Sequence, residues 1–252
     1  MTKIVAIANR KGGVGKTATA HALGAGLLRR GYRVLFVDLD SQCNLTDALG
    51  LSEEELEASS LDVLEGSSTA AEGIIRTEGG DILPASPDLA KADKLIDGVG
   101  KEYRLRDALK PLSRRYDYIV IDTPPALGVL TVNALTASND VIIPAQADLY
   151  SLQGIEQLYG TIGAVQHFAN KKLRIDGILI TRYVGRSIIS KDMRGNLEEV
   201  ARIIGSKVYS APIRECIAVR EAQATHTDIF SYSRKSNASK DYEAFIEEFL
   251  GG

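Results

Sequence analysis

The chain has 252 residues, 44% of them hydrophobic and 25% charged, the balance of a globular α/β or similar protein rather than a disordered or fibrous one. Its net charge of −3 argues against a constitutively basic nucleic-acid binder, and no run approaches the ~18 apolar residues of a spanning helix. Cys43 and Cys216 lie far apart, form no CxxC pair and suit a reducing cytoplasm.

The first predicted strand is Ile4–Ala8, within a run that starts at Lys3 and lacks the long apolar stretch of a signal peptide. A helix over Lys16–Arg30, stopped by Gly31, follows. Further strands are predicted at Val34–Asp38, Asp81–Pro84, Tyr118–Asp122, Val141–Pro144 and Gly177–Thr181. Further helices are predicted at Leu105–Arg115, Leu127–Ala137, Leu152–Phe168, Leu197–Ile204 and Lys240–Leu250. Several strands are continuous apolar runs, which means burial on both faces. The alternation predicts one α/β domain over 1–252, a doubly wound, mostly parallel sheet flanked by helices. Ligands bind such sheets at the carboxyl ends of the strands. That edge would gather Asn9–Lys16, Leu39–Asn44, Thr123–Pro125 and Arg182.

The segment Asn9-Arg10-Lys11-Gly12-Gly13-Val14-Gly15-Lys16-Thr17 follows a strand and opens a helix. Glycines there let successive N–H groups face phosphate oxygens, and the helix N-terminus adds its positive dipole end. Lys16 is placed to reach the β- and γ-phosphates, and the Thr17 hydroxyl to hold Mg²⁺. Arg10 stands where the general phosphate loop has its first glycine, and Lys11 is an additional lysine. Two acidic positions complete the pattern. Asp38 and Asp40 close the second strand, and Asp122 ends the buried run Tyr118–Asp122 before Pro124 and Pro125, a Walker B strand whose acid would hold Mg²⁺ through water.

The stretch from Lys11 through Gly12, Gly13, Val14, Gly15 and Lys16 to Thr17 resembles the deviant phosphate loop of the ParA/MinD family of P-loop ATPases. The resemblance extends along nearly the whole chain: Asp38-Leu39-Asp40-Ser41-Gln42, the helix after Pro125, Ile178–Arg182, Ile213-Arg214-Glu215 and Ser236–Tyr242. It implies ATP/ADP and Mg²⁺ as cofactors. It implies that Lys11 reaches the partner's nucleotide in an ATP-bound homodimer, that Asp40 orients the attacking water, and that Asp38 lies near the Mg²⁺ shell. Arg182, Pro212, Ile213 and Arg214 join the phosphate loop in the expected nucleotide contacts. Ala18 stands where a second threonine is usual, and Cys43 where a glycine is common.

Within the family the chain resembles the short ParA/Soj form, opening on the phosphate-loop strand with no helix-turn-helix domain ahead of it. That form implies slow ATP hydrolysis, non-specific DNA binding, a ParB-like centromere-binding partner and a cytoplasmic, nucleoid-associated location. Cluster-carrying relatives need paired cysteines, which this chain lacks. A MinD-like regulator would end in a basic amphipathic helix, whereas Asp241–Leu250 is acidic, so no membrane contact is expected. A MinD-like spatial regulator acting at a membrane or protein assembly, and a synthetase that activates a small carboxylate, stay open as alternatives. From Arg182 to Arg220 there are eight basic residues against four acidic ones, while Asn44 to Glu65 has seven acids and no base. The basic segment supplies the DNA candidates Arg186, Arg214 and Arg220. Ala218 occupies a position where relatives carry a DNA-contacting arginine.

Overall fold

In the computed structural model, which describes residues 2–184 and 188–251, the chain opens on β1 (Lys3–Ile7), passes a glycine-rich loop and enters α1 (Lys16–Leu28). β2 (Val34–Asp38) leads to α2 (Asn44–Ala48), α3 (Ser60–Glu65) and α4 (Ala70–Gly73), then to a hairpin of β3 (Ile75–Thr77) and β4 (Gly80–Leu83). α5 (Ala92–Leu95) and α6 (Arg104–Leu109) precede β5 (Tyr118–Asp122), α7 (Val129–Ala137) and β6 (Asp140–Gln146). α8 (Leu149–Phe168), β7 (Arg174–Thr181), α9 (Ile188–Ile203), α10 (Ile217–Ala224), α11 (Ile229–Tyr232) and α12 (Asn237–Gly251) follow.

The seven strands form one sheet in the order β3-β4-β2-β5-β1-β6-β7. Every pairing is parallel except β3 with β4. β1 lies between β5 and β6, with Lys3 opposite Tyr118 and Val5 opposite Asp140. The chain leaves β1 toward β2 on one side and later returns to β6 on the other. Loops diverge at such a point and leave a crevice at the strand's carboxyl end.

Successive residues along a strand face opposite layers. Val5, Ile7, Phe36 and Val120 pack under α1, α10, α11 and α12. Ala6, Ala8, Ile119 and Ile121 pack under α3, α6, α7 and α8. This two-sided burial is why the strands read as continuous apolar runs. α1 lies close enough to the sheet that a Cβ at Gly24 would fall 2.0 Å from Phe36 Cε1. The sheet side of that helix turn therefore has room only for hydrogen.

The doubly wound, mostly parallel architecture agrees with expectation, and the differences are local. β3 is a seventh strand of three residues, too short to stand out as a period. The helix expected over Leu105–Arg115 is α6 followed by a 3₁₀ turn, Lys110–Leu112; Pro111 lacks the N–H an α-helix needs there. Leu197–Ile204 proves to be the second half of α9. α10 had no counterpart among the predicted elements.

Candidate nucleotide site

The loop after β1 is braced from two strands, β6 and β7. Asn9, almost fully buried, donates its amide to the Pro144 carbonyl (2.6 Å) and accepts the Lys11 N–H (3.0 Å). The Thr181 hydroxyl at the end of β7 donates to the Val14 carbonyl (2.7 Å), and Gln146 at the end of β6 donates to that of Gly13 (3.2 Å). Gly13 and Gly15 have φ of 72° and 83°, values at which a side chain is strained. Gly15 is the N-cap of α1 and offers no capping side chain, so the first N–H groups of the helix stay free for an anion.

Lys16 is nearly buried. Burial lowers its pKa, and the nearby Asp122 and Asp40 carboxylates act against that fall. The Thr17 hydroxyl donates to Asp122 Oδ2 at 2.6 Å. The other oxygen of Asp122, Oδ1, is buried and has no hydrogen-bond partner. Burial first, then the charge of Asp38, hold Asp122 well above the ordinary carboxylate range. A buried acid with an orphaned oxygen beside a threonine hydroxyl is a donor set suited to a hydrated divalent cation.

Asp38 lies opposite Asp122 in the sheet, and both its oxygens are already engaged. Oδ1 accepts the Asp40 N–H (3.0 Å); Oδ2 accepts the N–H (2.9 Å) and hydroxyl (2.8 Å) of Thr46. Burial pushes Asp38 up to about 6 despite these bonds. Both oxygens of Asp38 thus brace the loop around Asp40. Asp40 accepts the Gln42 N–H at 3.1 Å and lines the cavity.

That cavity, of about 550 Å³, is walled by Gly12, Gly13, Gly15, Lys16, Thr17 and Ala18. Arg182, Ile213 and Arg214 line its far end, while Pro212 and the inward-facing Val14 do not. The strand of residues after β7 explains the placement: Tyr183 N–H bonds the Ile213 carbonyl (2.9 Å) and Ile213 N–H the Ile180 carbonyl (2.7 Å). The cavity also takes in Cys216, Val219 and Gln223 on one side and Asn44 and Asp47 on the other. Asn44 ends the Leu39–Asn44 segment expected at this edge, whereas the others were missed in the sequence; α10, which carries Val219 and Gln223, is short, and its apolar positions blend into the loops around it.

Lys11 does not enter the cavity. Its ammonium lies on Asp148 and donates to Gln146 Oε1 (3.0 Å) of its own chain. Of the expected DNA residues, Arg186 lies outside the described residues. Arg214 is committed to Asp241, to which its guanidinium and backbone N–H both donate (2.6 and 2.9 Å). Arg220 has a 73% exposed side chain and only a 3.8 Å contact with Glu215. Arg182, Arg194, Arg202 and Lys207 also sit 2.8 to 3.7 Å from carboxylates. The basic excess of this segment is thus interleaved with acids in space.

Strand, glycine loop, buried lysine and terminal acid on a doubly wound sheet define a P-loop nucleotide hydrolase. A family model described as an AAA domain matches residues 2–175. The chain is 40% identical over 251 residues to the sporulation initiation inhibitor protein Soj of Bacillus subtilis, covering 98% of each. It is 37% identical over 253 residues to the chromosome partitioning protein ParA of Caulobacter vibrioides, covering 98% of this chain and 94% of that one. Among solved structures, one titled cobyrinic acid a,c-diamide synthase from Mycobacterium smegmatis, with bound ADP and magnesium, superposes with a TM-score of 0.86 at 37% identity, covering 99% of this chain and 94% of the other. The chain belongs to the AAA domain family and is an ATPase of the ParA/Soj type.

Proposed function

We propose that this ATPase partitions DNA. Two copies close around ATP, hold DNA without reading its sequence, and part when a ParB-like partner on the cargo stimulates hydrolysis. The observation that carries the reading is Lys11, which the loop sequence makes a nucleotide-binding lysine and the structure turns out of its own cavity onto Asp148. A lysine held away from its own nucleotide cavity is left to serve a second nucleotide brought near it. Full-length likeness to proteins named for sporulation control and chromosome partitioning supports the same assignment.

In this reading Lys16 and the free N–H groups at the start of α1 hold the β- and γ-phosphates. Thr17 and, through water, Asp122 would hold Mg²⁺, which supplies charge neutralisation on the transferred phosphoryl group. Asp40 orients the attacking water, and Asp38 fixes the loop that carries Asp40. Lys11 of each copy stabilises charge on the other's nucleotide. Arg182, Ile213 and Arg214 flank the base. Arg220, with Arg186 beside it in the expected set, contacts DNA. Arg234, Lys235 and Lys240 are exposed and make no ion pair among the described residues. They follow Tyr232, whose hydroxyl donates to Glu221 (3.2 Å) next to Arg220, and they extend the same DNA surface.

The test is sizing and DNA retention of the parent and Asp40→Ala with ATP, with ADP and without nucleotide. ATP-dependent dimers that bind DNA and are trapped by Asp40→Ala are the expected result. No DNA binding in any state would sink the partition reading. The likeness to a structure titled as a synthase favours a second reading, phosphoryl transfer to a small carboxylate. Hydrolysis that depends on an added carboxylate, and is indifferent to DNA, would select it.

A further inference from the structure

Two loops flank the cavity, one after Asp38 and one after Asp122, and the segment from the end of β4 into α5 touches both. At one end the Ala85 N–H donates to the Thr46 hydroxyl at 2.9 Å, and Thr46 in turn donates to Asp38. At the other end Asp93 Oδ1 accepts the N–H of Val129 at 2.8 Å, at the first residue of α7. Seven residues separate the two attachments, and they are anchored to the core. Pro87 opens a 3₁₀ turn, and Leu89, Ala92 and Ile96 are buried in the core.

The contact at Asp93 is built for in two independent ways. The N-cap of α7 is Gly128, which has no side chain to offer, so the capping carboxylate comes from a residue 36 positions away. Gly128 has φ −88° and ψ −162°, backbone that any residue adopts. Yet a Cβ there would stand 2.6 and 2.8 Å from the two oxygens of Asp93. Room for that carboxylate, and not a backbone requirement, is what calls for glycine at 128. Asp93 is exposed and makes no ion pair among the described residues, so its hydrogen bond to Val129 is the contact the structure assigns it.

The segment Thr123–Leu127 is therefore held at both ends. The Thr123 hydroxyl donates to the Ile7 carbonyl (2.9 Å), and α7 begins where Asp93 fixes it. Pro125, between them, lines the cavity.

We propose that Asp93 is a positioning residue that ties the loop after Asp122 to the loop after Asp38, so that nucleotide orders both together. This rests on reading the two loops as the parts that sense nucleotide. Hydrogen exchange on the full chain, with and without Mg²⁺ and a non-hydrolysable ATP analogue, tests it. In the parent, nucleotide should slow exchange at 40–48 and at 124–132. In Asp93→Ala the added protection should fall by about fivefold at 124–132, the worth of one capping hydrogen bond. It should fall by a similar factor at 40–48, which Asp93 does not touch. Analogue affinity should weaken by no more than a similar factor, because loop ordering and nucleotide binding share one coupling free energy.

Asp93→Asn keeps a carbonyl that can accept the Val129 N–H and should retain both protections. Gly128→Ala displaces the carboxylate without altering residue 93 and should behave as Asp93→Ala does. Full protection at 40–48 in both Asp93→Ala and Gly128→Ala would reduce Asp93 to a local cap and overturn the tether. A parent that shows no nucleotide-dependent protection in either loop would instead overturn the reading of the loops themselves.

Discussion

The ammonium of Lys11 rests on the carboxylate of Asp148, 137 residues away in the same chain, while Lys16 of the same loop lines the cavity with Arg182, Arg214 and Arg220. Gln146 adds a second acceptor at 3.0 Å. Asp148 has another duty, since its Oδ1 accepts the Ser151 N–H (2.9 Å) and caps α8. The two lysines of one loop thus point different ways, and if Lys11 serves a second copy, as proposed, its contact with Asp148 must first break.

Asp148→Ala should release Lys11. ATP-dependent dimerisation should then occur at protein concentrations severalfold lower, because a competing contact is gone. The lost cap should cost about 1 kcal/mol of stability. Sedimentation velocity across a concentration series with ATP, beside a urea melt, separates the two effects. A dimerisation midpoint unchanged from the parent would show that Lys11 is not held back by Asp148.

Asp38 and Asp122 are two buried carboxyls whose pKa values lie above the usual range, Asp38 at about 6. An acid with a raised folded pKa binds its proton more tightly folded than unfolded. Without metal, stability should therefore fall as pH rises from about 4, the unfolded value, through about 6. Asp122→Asn removes one of the paired charges. In chelator the variant should be more stable than the parent by about 1 kcal/mol or more near neutral pH, with the gap closing toward about pH 4. Urea midpoints at both pH values check this, and Mg²⁺-dependent hydrolysis should be lost.

Cys43 has φ 55° and ψ 24° and sits at the N-cap of α2 without a capping bond. Only glycine adopts that conformation without strain. Cys43→Gly should exceed Cys43→Ala in stability by about 1 kcal/mol, the reverse of the order expected at an ordinary position. Paired denaturant melts give the difference. Alanine equal to glycine would mean that the loop relaxes out of this conformation.

Arg214 and Arg220 should separate cleanly. Arg214→Ala leaves the largely buried Asp241 without its guanidinium, with only the residue-214 N–H to bond it, and should cost about 1–3 kcal/mol, with weaker nucleotide binding. Arg220→Ala should shift stability by no more than about 0.5 kcal/mol. If Arg220 meets DNA, its loss should weaken DNA binding at every sequence and lower the salt slope by about 1. Equal effects of the two variants on thermal stability would contradict the assignment.

Much of the fold and of the site was legible along the chain because its signals are local. A strand buried on both faces reads as an apolar run, and Gly15-Lys16-Thr17 at the start of a helix reads as a phosphate cradle, since both depend on residues a few positions apart. The same locality placed Asp40 and Asp122 at strand ends facing one crevice. What the residues do there depended on partners far away in sequence. Lys11 points to Asp148, Arg214 is taken by Asp241, and Asp93 caps a helix begun by Gly128. Each of those contacts joins segments 27 to 137 residues apart, which meet only when the helices pack on the parallel sheet.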